Sequence, residues 1–555
     1  MIDLPAGRIS GPLLKALVTA VRKTPTRHVV ARLLRHQLGI DALRELPHDS
    51  RSALPSSFAP IRARAEHRRP GANLAPWDPE GSAVTARSLA RAYAARVFTP
   101  EELTERALAA ARHLASRSPS MGPLLDYDDE GALEASRHAT KRLAHGAPLG
   151  PLDGVVVAIK EEVRVRGLPC RVGSGWMPST PADGDSVAVA RLRAAGAVIL
   201  GTTAMTEYGM SPLGGNVHRT MPRNPHHTGH LPGGSSSGSG VAVATGVVPV
   251  ALGADGGGSI RIPACYCGVF GLKPTFGRVP VSGHGLHSGS SVVHLGPIGA
   301  SVEDLALFLD ATAGFDADDA TSAGPALEPG ELVSALGAGV AGLRIGVADS
   351  EWAAASDDVA APARRALEAL EREGAVLVPI ELPLAAHAAA IGYLTIGLET
   401  LAGMLYERVS RMDELGLDLQ MLLANLETFR ADDYLDAQRL RATLRGQVAA
   451  VLANVDLIAL PTTALGAPPI SDAEATGGFV DPPALDAACR FAFLGNLTGC
   501  PAGTAPVGRD RNGLPVGLQL LGDAWDEGCV LSALAHLERV GAARSERPPV
   551  TAELF

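Results

Sequence analysis

Two stretches of the chain hold reactive residue types in settings that ask for a chemical reason. The first is Val155-Val-Val-Ala-Ile-Lys160, an apolar, β-branched run that reads as a strand covered on both faces and ends on a lysine. Burying an ammonium without a partner is so costly that the group usually gives up its proton instead. Lys160 therefore either reaches water at the strand end or is buried for use. The chain holds only five lysines (Lys15, Lys23, Lys141, Lys160 and Lys273) and takes the rest of its positive charge from arginine, so lysine is not its surface-dressing residue.

The second stretch, residues 232–275, contains two glycine-flanked serine sites. Gly233-Gly234-Ser235-Ser236-Ser237-Gly238-Ser239-Gly240 has amides that can cradle a phosphate, but it lacks the Gly-Lys-Ser/Thr ending of a phosphate loop and the dinucleotide glycine spacing. A flexible linker fits poorly, because an apolar block follows at once. In Asp255-Gly-Gly-Gly-Ser259-Ile-Arg261 that block delivers Ser259 to a turn whose glycines leave backbone N–H groups unobstructed beside a hydroxyl, as an oxyanion hole requires. The residue two before Ser259 is Gly257, but the residue two after is Arg261, so the Gly-x-Ser-x-Gly elbow of a Ser-His-Asp hydrolase is missing.

Positioning these residues takes alternating strands and helices. Thr99-Pro-Glu-Glu102 places a cap, a first-turn proline and a capping-box acid ahead of Leu103, Ala107 and Leu108, so a helix starts there. Asp185 to Ala195 reads as a helix stopped by Gly196, and Ala197 to Leu200 as a short buried strand ending at Gly201, which makes the class α/β. From about Leu384 to Leu452 the pattern is almost entirely helical, before Val455 to Leu460 returns to a strand that Pro461 breaks. Residues 1–82 differ in character, with 13 Lys/Arg against 7 Asp/Glu and a Pro/Gly/Asn-rich ending, Arg69 to Pro79. They read as a mostly helical extension and linker. Within it, Leu13 to Leu38 has near-helical apolar spacing that suits a docked helix pair, a lid or a homodimer contact, with membrane-surface binding as a further reading.

Composition narrows the class of partner. A net charge of −10 leaves no basic footprint for nucleic acid, and 555 residues with 46% hydrophobic content bury an ample core. Six cysteines in mostly apolar surroundings fit reduced, buried thiols. Cys265 and Cys267 are too close for a zinc spacing, and His226, His227, His284, His287 and His294 form no helical pair with a carboxylate, so neither a metal nor a cofactor is expected. No charged region followed by an apolar core opens the sequence, and the run from Gly240 to Ala254 is shorter than the ~20 residues of a spanning helix, so the expected location is cytoplasmic with no membrane span.

From about Ser88 to Leu537 the motifs resemble those of the amidase signature family of serine hydrolases. Pro151 to Lys160 resembles its catalytic-lysine strand, Gly201-Thr-Thr-Ala-Met-Thr-Glu207 and Arg223-Asn-Pro225 its following segments, the Gly/Ser stretch and Gly271-Leu-Lys-Pro-Thr275 the signature, and Gly513 to Gln519 a C-terminal motif. The resemblance implies the family's fold, a large central mixed, twisted β-sheet covered by helices. Here it occupies residues 83–545, between the extension and a tail of residues 546–555. It also implies a Ser-Ser-Lys triad: Lys160 as base, Ser235 as a bridge on a cis peptide bond eased by Gly234, and Ser259, 24 positions after Ser235, as nucleophile. The N–H groups of Gly256, Gly257, Gly258 and Ser259 are then the oxyanion hole, and Ser236 either adds a hydroxyl to the relay or makes a turn hydrogen bond. A lysine serves as such a base only if burial lowers its pKa from ~10.4 towards the working pH.

The implied activity is an amidase that cleaves the C–N bond of a small-molecule carboxylic amide through an acyl-enzyme and water. Carbamate, ester or aryl-amide hydrolysis uses the same triad, and an amidotransferase-type or non-hydrolytic assembly subunit is the alternative from another class. Phe491 and Phe493 suggest an apolar acyl pocket, and Cys489 stands where amidotransferase subunits of the family carry an acidic residue. Three departures from the family pattern are Gly256 in place of an aliphatic residue or Thr, Glu161-Glu162 in place of an Asp-Asn-like pair, and Val293-His294 where an Asp is commoner. The acidic pair puts the rigidity of its loop in question.

Overall fold

The computed structural model describes residues 7–23, 26–55, 57–64, 74, 83–285 and 290–554; the Arg69–Pro79 passage apart from Leu74, as well as His287, lies outside them. Short apolar runs become the strands of one eleven-stranded sheet. In chain order they are β1 Leu124–Tyr127, β2 Val156–Lys160, β3 Val198–Thr203, β4 Val250–Asp255, β5 Phe270–Lys273, β6 His294–Gly299, β7 Arg344–Val347, β8 Val376–Pro379, β9 Leu457–Pro461, β10 Ala502–Arg509 and β11 Pro515–Gly522. Their spatial order is β1-β3-β2-β4-β6-β5-β10-β11-β9-β7-β8. β2 runs parallel to both β3 and β4, β7 runs parallel to β8 and β9, and every other neighbouring pair is antiparallel.

All residues of β2, β3 and β4 are buried, which is why these strands read as unbroken apolar runs rather than alternations. Strand alternation instead divides the core: Leu457 and Ala459 of β9 join one apolar cluster, while Ile458 and Leu460 join another on the opposite face. Thr99 caps Pro100–Ala115 with a full capping box, and Ser186 caps Val187–Ala194. β3 runs through Gly201 to Thr203 rather than stopping there. A Cβ on Gly201 would collide with the Asp126 carbonyl of β1, so this glycine permits close strand approach instead of ending the strand. Pro461 is likewise the last paired residue of β9, opposite Leu518. The long helical passage resolves into Ala388–Gly403, Leu405–Ser410, Leu417–Leu426 and Ala431–Leu452.

At the N-terminal end, helices Gly11–Val21 and Thr26–Gln37 bury Leu14, Val18, Val21 and Leu34 against Met421 and Ala424 of Leu417–Leu426. Ile9–Ser10 adds a two-stranded ladder with Phe479–Val480. Farther on, Arg445 donates to the Ser57 and Ala59 carbonyls, and the Arg441 guanidinium lies 4.9 Å from the Phe58 ring centre. That strap brings Phe58 to the wall of the main cavity.

One buried ion pair fixes the end of β4. Asp255 Oδ1 accepts from the Gly258 N–H at 2.7 Å, from Arg261 Nη2 at 2.9 Å and from Asn496 Nδ2 at 2.9 Å, while Oδ2 accepts from Arg261 Nε at 3.0 Å and the Ile260 N–H at 3.2 Å. Both Asp255 and Arg261 are fully buried. Burial pushes the Asp255 carboxyl up, but Arg261 and Asn496 outweigh it and hold the group well below the usual carboxylate range. The pair thus ties the strand end to the helix Arg261–Cys267 and sets the shape of the glycine turn between them. Replacing one partner leaves the other charge buried alone, so Arg261→Met should lower the unfolding free energy by about 3–5 kcal/mol. Chemical denaturation measures this; a loss below about 1 kcal/mol, within the range of exposed pairs, would show that water reaches Asp255.

Candidate active site

Lys160 is the last residue of β2 and is 1% exposed, so the strand end does not reach water. Its Nζ lies 2.7 Å from Ser235 Oγ, 2.6 Å from Glu162 Oε1 and 3.4 Å from the Ala254 carbonyl. Burial pushes the Lys160 ammonium down from its ordinary value, and the Glu162 carboxylate pulls it part of the way back. The chain's other buried lysine provides a contrast. Lys273 donates to the Pro274 and Cys500 carbonyls at 2.9 and 2.6 Å, does not line the cavity, and is lowered to about 7 by burial and Arg261.

Ser235 sits just before the helix Ser237–Ala244, and the Gly234–Ser235 peptide bond is cis. The Gly234 N–H donates to the Pro212 carbonyl at 2.8 Å, and a side chain at 234 would meet the Ser211 carbonyl, so only glycine fits this approach. The Ser236 N–H donates to the Ser259 carbonyl at 3.3 Å, which ties the two serine sites together through the backbone. The Ser236 hydroxyl donates to the Ala254 carbonyl at 3.2 Å and accepts from the Ala254 N–H at 3.3 Å. Ala254 lies 18 residues on, in β4, so these bonds tie the start of the helix to that strand.

Ser259 follows β4 across the glycine turn and is 7% exposed, opening on the same cavity as Lys160 and Ser235. The Gly256, Gly257 and Ser259 amides have no protein acceptor among the described hydrogen bonds. Gly258 differs from expectation: its N–H is already given to Asp255, and its φ of +117° turns the chain so that this bond can form. The other three amides belong to residues that line the cavity. Among the described hydrogen bonds none joins the Ser235 and Ser259 hydroxyls.

The cavity measures about 720 Å³, with Lys160, Glu162, Ser235, Ser259, Gly256 and Gly257 among the groups at its reactive end. Met177, Met210, Ile396, Met404, Leu422 and Phe493 supply much of the apolar wall. The Phe493 ring packs so closely on Gly257 that a Cβ there would lie 2.5 Å from it. Phe491 does not line the cavity; it is buried in the core. Two residues apart at the start of the helix Ala492–Thr498, these rings point in different directions. Cys489 does reach the wall, with a thiol that burial pushes up and keeps protonated. Glu399, also on the wall, is saturated by the Ser290 hydroxyl at 3.1 Å, the Ser291 N–H and hydroxyl at 2.9 and 2.6 Å, and the Tyr434 hydroxyl at 3.1 Å.

The acidic pair after Lys160 is buried and bonded on both sides. Glu161 accepts from Arg171 Nε at 2.8 Å and the Gly173 N–H at 2.9 Å, while Glu162 faces Lys160 and has His284 Nε2 at 3.7 Å. These bonds hold the segment in place, so the rigidity in question is supplied by ion pairs. The other histidines are scattered: His226 Nε2 contacts the Cys267 carbonyl at 3.0 Å, His227 packs on His230, and His294 packs edge-on against Phe276. Among the described residues no group of three His, Cys, Asp or Glu is placed to hold a metal ion, and no helix is long and apolar enough to cross a membrane. Sequence reasoning misses the counter-charge at Glu162, the Arg261 clamp and the Phe58 wall. None of the three leaves a local signal: Glu161 and Glu162 form a turn, in which the Val163 N–H donates to the Lys160 carbonyl at 2.9 Å, and it brings the Glu162 carboxylate back to the lysine.

Comparison with known proteins places this geometry in context. The model of the Amidase family matches residues 102–531. A fatty acid amide hydrolase of Medicago truncatula is 34% identical over 476 residues, covering 84% of this chain and 77% of the relative. A subunit of the glutamyl-tRNA(Gln) amidotransferase of Chloroflexus aggregans is 34% identical over 490 residues, covering 84% of this chain and 98% of that relative. The solved structure of a native peptide amidase from Stenotrophomonas maltophilia superposes with a TM-score of 0.71 at 27% identity, over 85% of this chain and 99% of that one. With its mixed eleven-stranded sheet, its Gly/Ser turns and a family match across most of its length, the chain belongs to the amidase signature family.

Proposed function

We propose that this protein hydrolyses the C–N bond of a carboxylic amide with an apolar acyl group, using Ser259 as nucleophile, Ser235 as proton bridge and Lys160 as base. The observation that carries the reading is the 2.7 Å contact between Lys160 Nζ and Ser235 Oγ at the reactive end of the cavity on which Ser259 opens. A serine hydroxyl becomes a useful nucleophile only when a base accepts its proton. Neutral Lys160 takes a proton from Ser235, which takes one from Ser259 as Ser259 Oγ bonds to the amide carbon. The Gly256, Gly257 and Ser259 amides receive the developing oxyanion, and the proton returns through Ser235 to the departing amine. Water then releases the acyl group by the same route. The Ser259-to-Ser235 hydrogen bond is the link that substrate closes; such bonds commonly tighten only in the complex.

The apolar wall and the likeness to a fatty acid amide hydrolase support an alkyl or aryl acyl group. The amidotransferase likeness favours glutamine as a second reading. Against it, Cys489 offers no charge for a substrate ammonium, and Glu399 already accepts four hydrogen bonds. In this reading residues 1–82 are an appended segment whose Phe58 closes part of the acyl wall.

Turnover of a primary-amide series tests the substrate class. kcat/KM should rise about fourfold per added methylene until the wall is filled, in line with ~0.8 kcal/mol per buried CH₂. Phe58→Ala should move the optimum to bulkier acyl groups. Glutamine preferred over every apolar amide would overturn the assignment. Ser259→Ala should lose on the order of 10⁴-fold or more in kcat, and Lys160→Ala about 10²–10⁴-fold near neutrality. The residual Lys160→Ala rate should keep climbing into the alkaline range, because hydroxide then replaces the lysine; a profile of parental shape and height would contradict the base.

A further inference from the structure

We propose that Glu162 is a positioning residue for amide hydrolysis: its carboxylate aims the Lys160 amine at Ser235 and balances the positive charge that Lys160 acquires with the nucleophile's proton. This rests on Lys160 being the base. Glu162 is 2% exposed, and nothing in a strand-covering role requires a carboxylate at that depth.

The number of hydrogen bonds around Lys160 Nζ gives the geometric argument. Its three close acceptors are Ser235 Oγ at 2.7 Å, Glu162 Oε1 at 2.6 Å and the Ala254 carbonyl at 3.4 Å. An ammonium has three N–H donors and fills all three. A neutral amine has two N–H donors and one lone pair. Neither Glu162 as a carboxylate nor a backbone carbonyl can donate, so both must receive the N–H groups, and the lone pair is left for the Ser235 hydroxyl. The carboxylate thereby selects the orientation in which Lys160 can accept a proton.

Charge makes the second argument. Before proton transfer the pair carries one negative charge; afterwards it is neutral overall. With a neutral group at 162, the same step would place a cation on a buried nitrogen with no carboxylate beside it, which is strongly disfavoured. Burial pushes the Glu162 carboxyl up, but a protonated Lys160 and His284 outweigh burial and lower it, so the carboxylate is the partner of the lysine once the proton has arrived. The other groups facing the pair do not replace it. Asp255 is committed to Arg261, His284 Nε2 lies 3.7 Å from the same Glu162 oxygen, Cys170 is pushed up to about 12 by burial and the acidic pair, and Arg164 is a cation on the cavity wall.

The test is the pH dependence of kcat/KM and of fluorophosphonate labelling for folded parent, Glu162→Gln, Glu162→Asp and Lys160→Ala. Removing the negative neighbour makes Lys160 lose its proton at lower pH, so the ascending limb of Glu162→Gln should move down by about 1–3 pH units. Its plateau should fall by about tenfold or more, because base strength falls with proton affinity and one anchor is lost. Glu162→Asp, with the charge kept one methylene away, should lie between it and the parent. A Glu162→Gln limb superposing on the parent's overturns the proposal. If that variant does not fold, a Glu162→Asp profile matching the parent in both limb and height does so. A Lys160→Ala profile of parental shape would instead remove the reading of Lys160 as base, whereas an altered Lys160→Ala with an unaltered Glu162→Gln removes only the role of Glu162.

Discussion

Taking the Lys160 nitrogen out of water is the constraint on which the rest of this site depends. A lysine in contact with solvent would be protonated near neutrality, and one buried without partners would be a liability to folding. Here the apolar strand β2 carries it into the interior, and three segments meet its Nζ: the turn before Ser237–Ala244, the end of β4 and the acidic pair that follows β2. The parallel pairing of β2 with β4 makes this convergence possible, since it brings Ile159 into register with Leu252 and the Ala254 carbonyl alongside the strand end.

Three buried cations around the site have separate partners. Lys160 faces Glu162, Arg261 faces Asp255, and Lys273 is held by backbone carbonyls. Buried pairs of this kind are weak sources of stability, because desolvation cancels much of the attraction, but breaking one is costly. Their value here is positional. The Asp255 carboxylate takes the Gly258 amide out of use and so shapes the turn that presents the Gly256, Gly257 and Ser259 amides. The Lys160–Glu162 pair holds the lysine nitrogen beside the Ser235 hydroxyl. The polar end of the cavity is held by these ion pairs, while Met177, Met210 and Met404 in its wall are side chains that adapt their packing.

Much of this is legible in the sequence alone. A strand that ends on lysine, a serine delivered to a triple-glycine turn and a helix capped at Thr99 are local patterns, and local patterns survive into the structure. What escapes a sequence reading depends on direction or on distant partners. Phe491 and Phe493 have the same chemistry and differ only in which way they point. Gly258 loses its expected role to a carboxylate three residues earlier, and Gly201 continues a strand because β1 passes close by. Phe58 reaches the cavity only because Arg441 and Arg445, nearly four hundred residues later, hold the strap around it.

Acylation of Ser259 Oγ is the step on which the proposed chemistry depends, and mapping a covalent adduct tests it most directly. After reaction with a fluorophosphonate, proteolysis and mass spectrometry of the peptides should place the phosphonyl group on Ser259, with amide turnover lost in proportion to labelling. An adduct on Ser235, or an active protein left unlabelled on Ser259, would contradict it.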